Sequence, residues 1–170
     1  MGKINKVYLL LGSNIEPRHD FITKAVSMIE TETGKVIGLS SVYESEPWGF
    51  EAHTKFLNCV VCIESELTAA DLLKSILMIE KSMGRTRKEG GGYASRNIDI
   101  DILYFNSDTI ELTDLIIPHP RLYERRFTLV PLVEIAPDFE HPVFRKTNNA
   151  LLDCCNDTSK VITFKAIQVI

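Results

Sequence analysis

An α+β fold is predicted by three features of the sequence: apolar runs with a period of two, two segments with apolar residues at helical spacing, and the order in which these alternate. The chain has 170 residues, 45% of them hydrophobic, which is enough for one well-buried core and too little to expect two. A single domain over residues 1–170 is therefore expected. Lys6 to Leu11 is a short apolar strand that ends in the turn signal "GSN". After Pro17, Phe21, Ile22, Ala25, Val26 and Ile29 recur at helical spacing, and Gly34 supplies a stop. "KVIGLSSVYES" and "KFLNCVVCIES" read as two strands, joined by "EPWGFEAHT", which is too long and too aromatic for a tight hairpin turn. Thr68 with Asp71 three residues on resembles a capping box, and Leu72, Leu73, Ile76, Leu77, Ile79 and Met83 form the buried face of a second helix that Gly84 ends. A basic, glycine-rich loop, "GRTRKEGGGYASR", leads into the strand "NIDIDILYF", after which Asn106-Ser107-Asp108 turns the chain.

The order is thus β-α-β-β-α-β. It predicts the split βαβ or ferredoxin-like sandwich, an antiparallel-containing sheet with its helices on one face, followed by extra C-terminal elements. Those are a loop and short helix bounded by prolines in "DLIIPHPRLYERRFTLVPLVEIAPDF" and a strand-like tail, "KVITFKAIQVI".

A net charge of −4 gives no overall attraction to polyanions, so any nucleotide site has to come from a local cluster. The early apolar run, Val7 to Leu11, is shorter than the apolar core of a signal peptide, and no later stretch is long enough to span a bilayer. A cytoplasmic protein bound to neither membrane nor nucleic acid is expected. Of the four cysteines, Cys59 and Cys62 alternate on a strand and so point to opposite faces, which suits neither zinc nor a redox pair. They read as small apolar residues.

Asp is depleted in strands, yet Asp99 and Asp101 sit among isoleucines in one. With a period of two they share a face, while Ile98, Ile100 and Ile102 share the other. Two readings stand: a pair of hard oxygen ligands for Mg²⁺, or charges that keep an exposed sheet face from pairing. Upstream lie Arg85, Arg87, Lys88 and Arg96, interleaved with Gly90, Gly91 and Gly92. Alone, that run is a phosphate-binding loop or a solvated turn; beside the carboxylates it describes a polyphosphate clamp. No G-x-x-x-x-G-K-[ST] occurs, so a nucleotide would bind without a P-loop.

"YASRNIDIDIL" resembles the signature of the 6-hydroxymethyl-7,8-dihydropterin pyrophosphokinases, which move pyrophosphate from ATP to a pterin alcohol in folate biosynthesis. "LLGSN", "SSVYESEPWG", "FLNCVV", "IEKSMGRTRK" and "IPHPRLYERRFTLVPLVEIAPD" resemble further blocks in family order, so that the likeness runs to about Pro142 and leaves 143–170 as a divergent tail. The resemblance implies that Asp99 and Asp101 hold two Mg²⁺ ions on the ATP phosphates and that Arg85 and Arg96 act with them in catalysis. It places Glu80, Arg87, Lys88, Tyr93, Ile102, His119 and Arg125 at ATP. The pterin would lie between Phe56 and Phe127, be read by Asn58, and be lined by Ser45, Glu46, Pro47 and Trp48. A monomer acting on two small molecules, ATP and the pterin, is implied. His119 fits a phosphate contact better than a general base. Departures from the family pattern are Tyr93 in place of a tryptophan, a longer glycine run, Asp114 and Ile116 in place of an arginine and a threonine, and Glu46 in place of a proline.

Two other classes share these features. A two-metal phosphohydrolase or nuclease would use the same aspartates with water as nucleophile and would not need Phe56, Asn58 and Phe127. A ferredoxin-like RNA-binding module would have to tolerate Asp99 and Asp101 on the strand face that meets the phosphate backbone.

Overall fold

The computed structural model describes residues 2–49, 51, 53–84 and 97–165. Its centre is β1 (Asn5–Ser13), an apolar run because both of its faces are covered: Val7, Leu9 and Leu11 point to one side, Tyr8 and Leu10 to the other. Antiparallel to it lie β4 (Phe56–Ser65), from Asn5↔Ser65 to Ser13↔Leu57, and β5 (Asp99–Phe105). β3 (Val42–Ser45) pairs with β4, and so does β2 (Lys35–Leu39) further along. The sheet order is β5-β1-β4-β3-β8, with β8 (Val161–Lys165) as an added edge strand. That is the ferredoxin-like arrangement, with the C-terminal tail extending it.

"KVIGLSSVYES" is two strands, not the single one expected. Ser40 leaves the ladder: its N–H donates to the Val60 carbonyl and its hydroxyl accepts from the Val60 N–H, while Ser41 turns to Glu134. Helix α1 (Arg18–Glu32) buries Ile22, Ala25 and Ile29, and α2 (Ala69–Ser82) buries Leu72, Ile76 and Ile79, all against the Val7 face. Gly34, at φ +151°, ends the α1 connection where a side chain would meet the Glu64 carbonyl. Thr68 caps α2 as expected, accepting from the Asp71 N–H at 3.2 Å.

Helices also cover the second face, among them the short helix expected between prolines. α3 (Arg126–Ile135) and α4 (Asn148–Asp153) set Leu129, Leu132 and Leu151 on Tyr8, Leu10, Val60 and Tyr104. Cys59 and Cys62 fall in the two different cores, on opposite faces as the alternation predicts. A bulge in β5 opposite Tyr8 and Leu9 turns Leu103 and Tyr104 both to the second face and returns Phe105 to the first. A small hairpin, β6 (Ile110–Leu112) and β7 (Leu115–Ile117), follows β5. The fully buried apolar cluster under α3 stops at Leu10 and Val60 on these strands, and the Gly12 end of this face lies beyond it.

Candidate active site

β5 places Asp99 and Asp101 half-buried on the second face and keeps Ile98, Ile100 and Ile102 in the first core. Register then fixes their neighbours. Asp99 lies opposite Gly12, which lies opposite Asn58, so one row across three strands runs carboxylate, bare backbone, amide. β5 ends the sheet, and the Ile100 N–H on its open edge donates at 2.8 Å to Glu80, a carboxylate buried at the end of α2. The backbone between the two aspartates is thereby tied to a helix.

After β7 the chain runs back along β5, where the His119 N–H donates to the Leu103 carbonyl. The His119 Nε2 lies 3.9 Å from the Asp101 Oδ2, and the Nδ1 accepts the Arg121 N–H at 3.1 Å. Burial, aided by the Arg125 charge and opposed by Asp99, lowers the imidazole to about 4. At neutral pH it is uncharged, with its proton on Nε2 because Nδ1 is already an acceptor. Arg125, nearly buried, holds its guanidinium 4.8 Å from the Trp48 ring centre and 5.7 Å from that of Phe127, and Arg121 lies 5.8 Å from Trp48. The loop after β3 and the start of α3 thus meet across Arg125.

Ser45, Phe56 and Asn58 share that same sheet face, because Ser45 is opposite Phe56 and Asn58 is two residues on. The Asn58 Nδ2 donates to the Ser45 hydroxyl at 2.8 Å, which turns its oxygen over Gly12. A β-carbon at Gly12 would stand 3.2 Å from that oxygen and 3.9 Å from the Phe56 ring, so glycine keeps the floor open. Pro47 is half-buried in the adjoining loop, while the exposed Glu46 carboxylate pairs with Lys55 at 3.1 Å.

Beside the aspartates is a cavity of about 380 Å³ whose walls include Glu80, Asp99, Asp101, Ile102 and His119 with Leu73, Leu77, Leu115 and Ile116. Asp114 stands at its rim. Among the described residues no three His, Cys, Asp or Glu side chains converge as a complete metal cage. Two carboxylates on one face are nevertheless what Mg²⁺ needs from a protein when phosphates and water complete its shell. The structure brings together Asp99, Asp101, Glu80, Ile102 and His119, and separately Ser45, Asn58 and Phe56, with Trp48, Arg125 and Phe127 in a third group. Arg85, Arg87, Lys88, Tyr93 and Arg96 lie outside the described residues. Gly12 and Arg121 escaped the sequence reading; the turn signal "GSN" marked Gly12 as a strand end, and nothing local marked Arg121.

Residues 8–137 match the model of the 7,8-dihydro-6-hydroxymethylpterin-pyrophosphokinase (HPPK) family. A 2-amino-4-hydroxy-6-hydroxymethyldihydropteridine pyrophosphokinase of Porphyromonas gingivalis is 44% identical over 138 residues, covering 80% of this chain and 93% of that protein. The Bacillus subtilis protein of the same name is 42% identical over 137 residues, 80% of this chain and 81% of its own length. Among solved structures, wild-type HPPK-DHPS of Plasmodium falciparum with pteroate superposes with a TM-score of 0.74 over 91% of this chain and 45% of that longer one. At 18% identity that likeness carries the fold alone.

Proposed function

The chain belongs to the 7,8-dihydro-6-hydroxymethylpterin-pyrophosphokinase family, and we propose that it carries out the family's reaction at the Gly12 end of the second sheet face. It is an ATP-dependent diphosphotransferase that moves pyrophosphate from ATP to hydroxymethyldihydropterin in folate biosynthesis. The observation that carries the site is the row Asn58, Gly12, Asp99. Neighbouring strands are about 4.8 Å apart, so the Cα atoms of Asn58 and Asp99 stand roughly 10 Å from each other with only the bare glycine strand position between them. A flat pterin read by Asn58 and held between Phe56 and Phe127 would point its hydroxymethyl group at phosphates held beside Asp99.

In our reading the hydroxymethyl oxygen bonds to the β-phosphorus as the bond from that phosphorus to the α,β-bridging oxygen breaks, AMP leaves, and the hydroxyl proton passes to water. Such transfers leave the protein chiefly positioning and charge neutralisation to supply. Asp99 and Asp101 fit two Mg²⁺ ions, which when bound would neutralise the phosphates. Glu80 holds the strand between the aspartates in place. His119, neutral with its proton on Nε2, donates to a phosphate oxygen; its only acceptor nitrogen is taken by the Arg121 N–H, which argues against a general base. Arg125 adds a cation between Trp48 and Phe127, where pterin and nucleotide sides meet. Ile102, Leu73 and Leu77 line an apolar wall for the nucleoside; Arg85 and Arg96 are proposed to act on the phosphates, and Arg87, Lys88 and Tyr93 to bind ATP. Asn58, oriented by Ser45, presents its oxygen to the donor edge of the pterin. Pro47 lines the same slot, and Glu46 borders it through Lys55.

The test is product analysis with ATP, Mg²⁺ and 6-hydroxymethyl-7,8-dihydropterin. AMP that forms only with both pterin and Mg²⁺ present is the expected result; phosphate released without pterin would instead establish a hydrolase. No helix among the described residues is long and apolar enough to cross a membrane. We further propose one domain acting as a monomer in the cytoplasm, which sedimentation at micromolar concentration and fractionation would check.

A further inference from the structure

The family match ends at residue 137, yet the chain beyond it touches residues that adjoin or hold both walls of the proposed pterin slot. One wall is Phe127, in the first turn of α3. That helix has no side-chain cap of its own, and the N–H of Arg126 donates instead to the Asp157 Oδ2 at 3.0 Å, from 31 residues away. The other Asp157 oxygen accepts the Ser159 N–H at 3.0 Å, so the carboxylate is held from both sides. Burial alone would raise this acid, but the Ser159 and Arg126 contacts outweigh it and keep it below the ordinary carboxylate range.

The other wall is Phe56, at the start of β4. The preceding carbonyl, that of Lys55, accepts from the Arg18 Nη1 at 2.9 Å, and the same nitrogen lies 3.0 Å from Glu44, the residue before Ser45. Arg18, with its side chain 13% exposed, sits 5.8 Å from the centre of the Phe164 ring on β8, and His19 lies against the same ring. β8 itself pairs with β3, with Val161 opposite Ser45. Arg18 reaches these groups from the α1 side of the sheet, so it does not enter the slot.

We propose that the segment from Asp157 to Phe164 is a positioning element that sets the spacing between Phe56 and Phe127, and with it the affinity for the pterin. The inference rests on the proposed slot. A flat ring system needs its two walls at one separation, and each wall here adjoins a residue this segment touches: Arg126, bonded to Asp157, and Lys55, whose carbonyl is held by the Arg18 that lies over the Phe164 ring. Asp157 and Phe164 are accordingly positioning residues that touch no substrate.

The experiment is equilibrium binding of 6-hydroxymethylpterin, followed by its own fluorescence, to the full chain with Mg²⁺ and α,β-methylene-ATP. Phe164→Ala, Asp157→Ala, Asp157→Asn and the double alanine variant are compared, with Lys74→Ala as an exposed control. Each alanine variant is expected to raise the pterin Kd about five- to twentyfold, Phe164→Ala with no change in nucleotide affinity. Asp157→Asn, which keeps an acceptor, should recover most of the loss. Because one spacing can be opened only once, the double variant should fall well short of the product of the two single effects. Unchanged pterin Kd in the single variants overturns the proposal. So does a parallel loss of pterin and nucleotide binding with a lowered melting temperature in both. Wild-type protein that binds nucleotide but no pterin would overturn the slot itself, and this inference with it.

Discussion

At the scale of single residues, the site depends as much on an absent side chain as on those present. Gly12 separates Asn58 from Asp99, and its backbone is the floor between them. Valine suits a strand, so Gly12→Val should still fold, but its methyl groups would occupy the space above Asn58 and Phe56. The expected outcome is a pterin KM raised by at least about tenfold with a native circular dichroism spectrum. Wild-type kinetics would show that substrate does not lie over this row. His119 makes a second prediction. Its folded value of about 4 lies below the ordinary 6.5, so the unfolded chain binds the extra proton first as pH falls. The stability this group confers is complete above about 6.5 and is lost as pH drops toward 4, by about 3 kcal/mol in all. In EDTA, His119→Gln should flatten the fall in melting temperature across that window; an unchanged slope would contradict a neutral, buried imidazole.

At the scale of elements, the joint between α2 and β5 is the one on which the carboxylates depend. Ile100 lies between the two aspartates, and its edge N–H has Glu80 as its acceptor. Glu80→Ala removes that acceptor from a buried donor and should cost about 1–3 kcal/mol. Turnover should fall further than stability explains, because Asp99 and Asp101 lose their fixed separation. Glu80→Gln keeps an oxygen for the bond and should retain most stability, which chemical denaturation alongside kcat would show. This joint could be read only in part beforehand. Period two put the aspartates on one face, and the apolar spacing of α2 placed Glu80 at its end, but the bond between them joins residues 20 apart. The break at Ser40 and Ser41 was hidden for the same reason, since it is made by Val60 and by Glu134, 93 residues away. β6 and β7, three residues each, are too short to show a period, and α4, which Thr147 caps by accepting the Ala150 N–H, is hardly longer. The short helix expected between prolines is α3, but its place on the second face was not legible, because a ferredoxin-like order assigns no position to elements after its last strand. The clearest clue was β1 itself, whose unbroken apolar run requires cover on both sides.

At the scale of the whole molecule, a chain of net charge −4 has to bind a polyanion, so the long-range field opposes ATP and local groups have to overcome it. Arg121 and Arg125 stand against the Trp48 ring, and Asp114, which lines the cavity, adds a further negative charge beside the aspartates. Nucleotide binding should therefore depend strongly on Mg²⁺ at Asp99 and Asp101. A ligand present at a hundredfold its Kd stabilises the folded state by about 2.7 kcal/mol, and for a domain of this size each kcal/mol moves the melting temperature by roughly 2–4 °C. Mg²⁺ with α,β-methylene-ATP should thus raise the melting temperature by roughly 5–10 °C, an increment that EDTA abolishes. Asp99→Asn and Asp101→Asn should erase the increment while leaving the ligand-free melting temperature close to wild type, because both side chains are half-exposed and hold up no core. If the nucleotide stabilised these variants fully, the phosphates would have to be held elsewhere, and the period-two pairing of the aspartates would belong to the sheet edge and not to the chemistry.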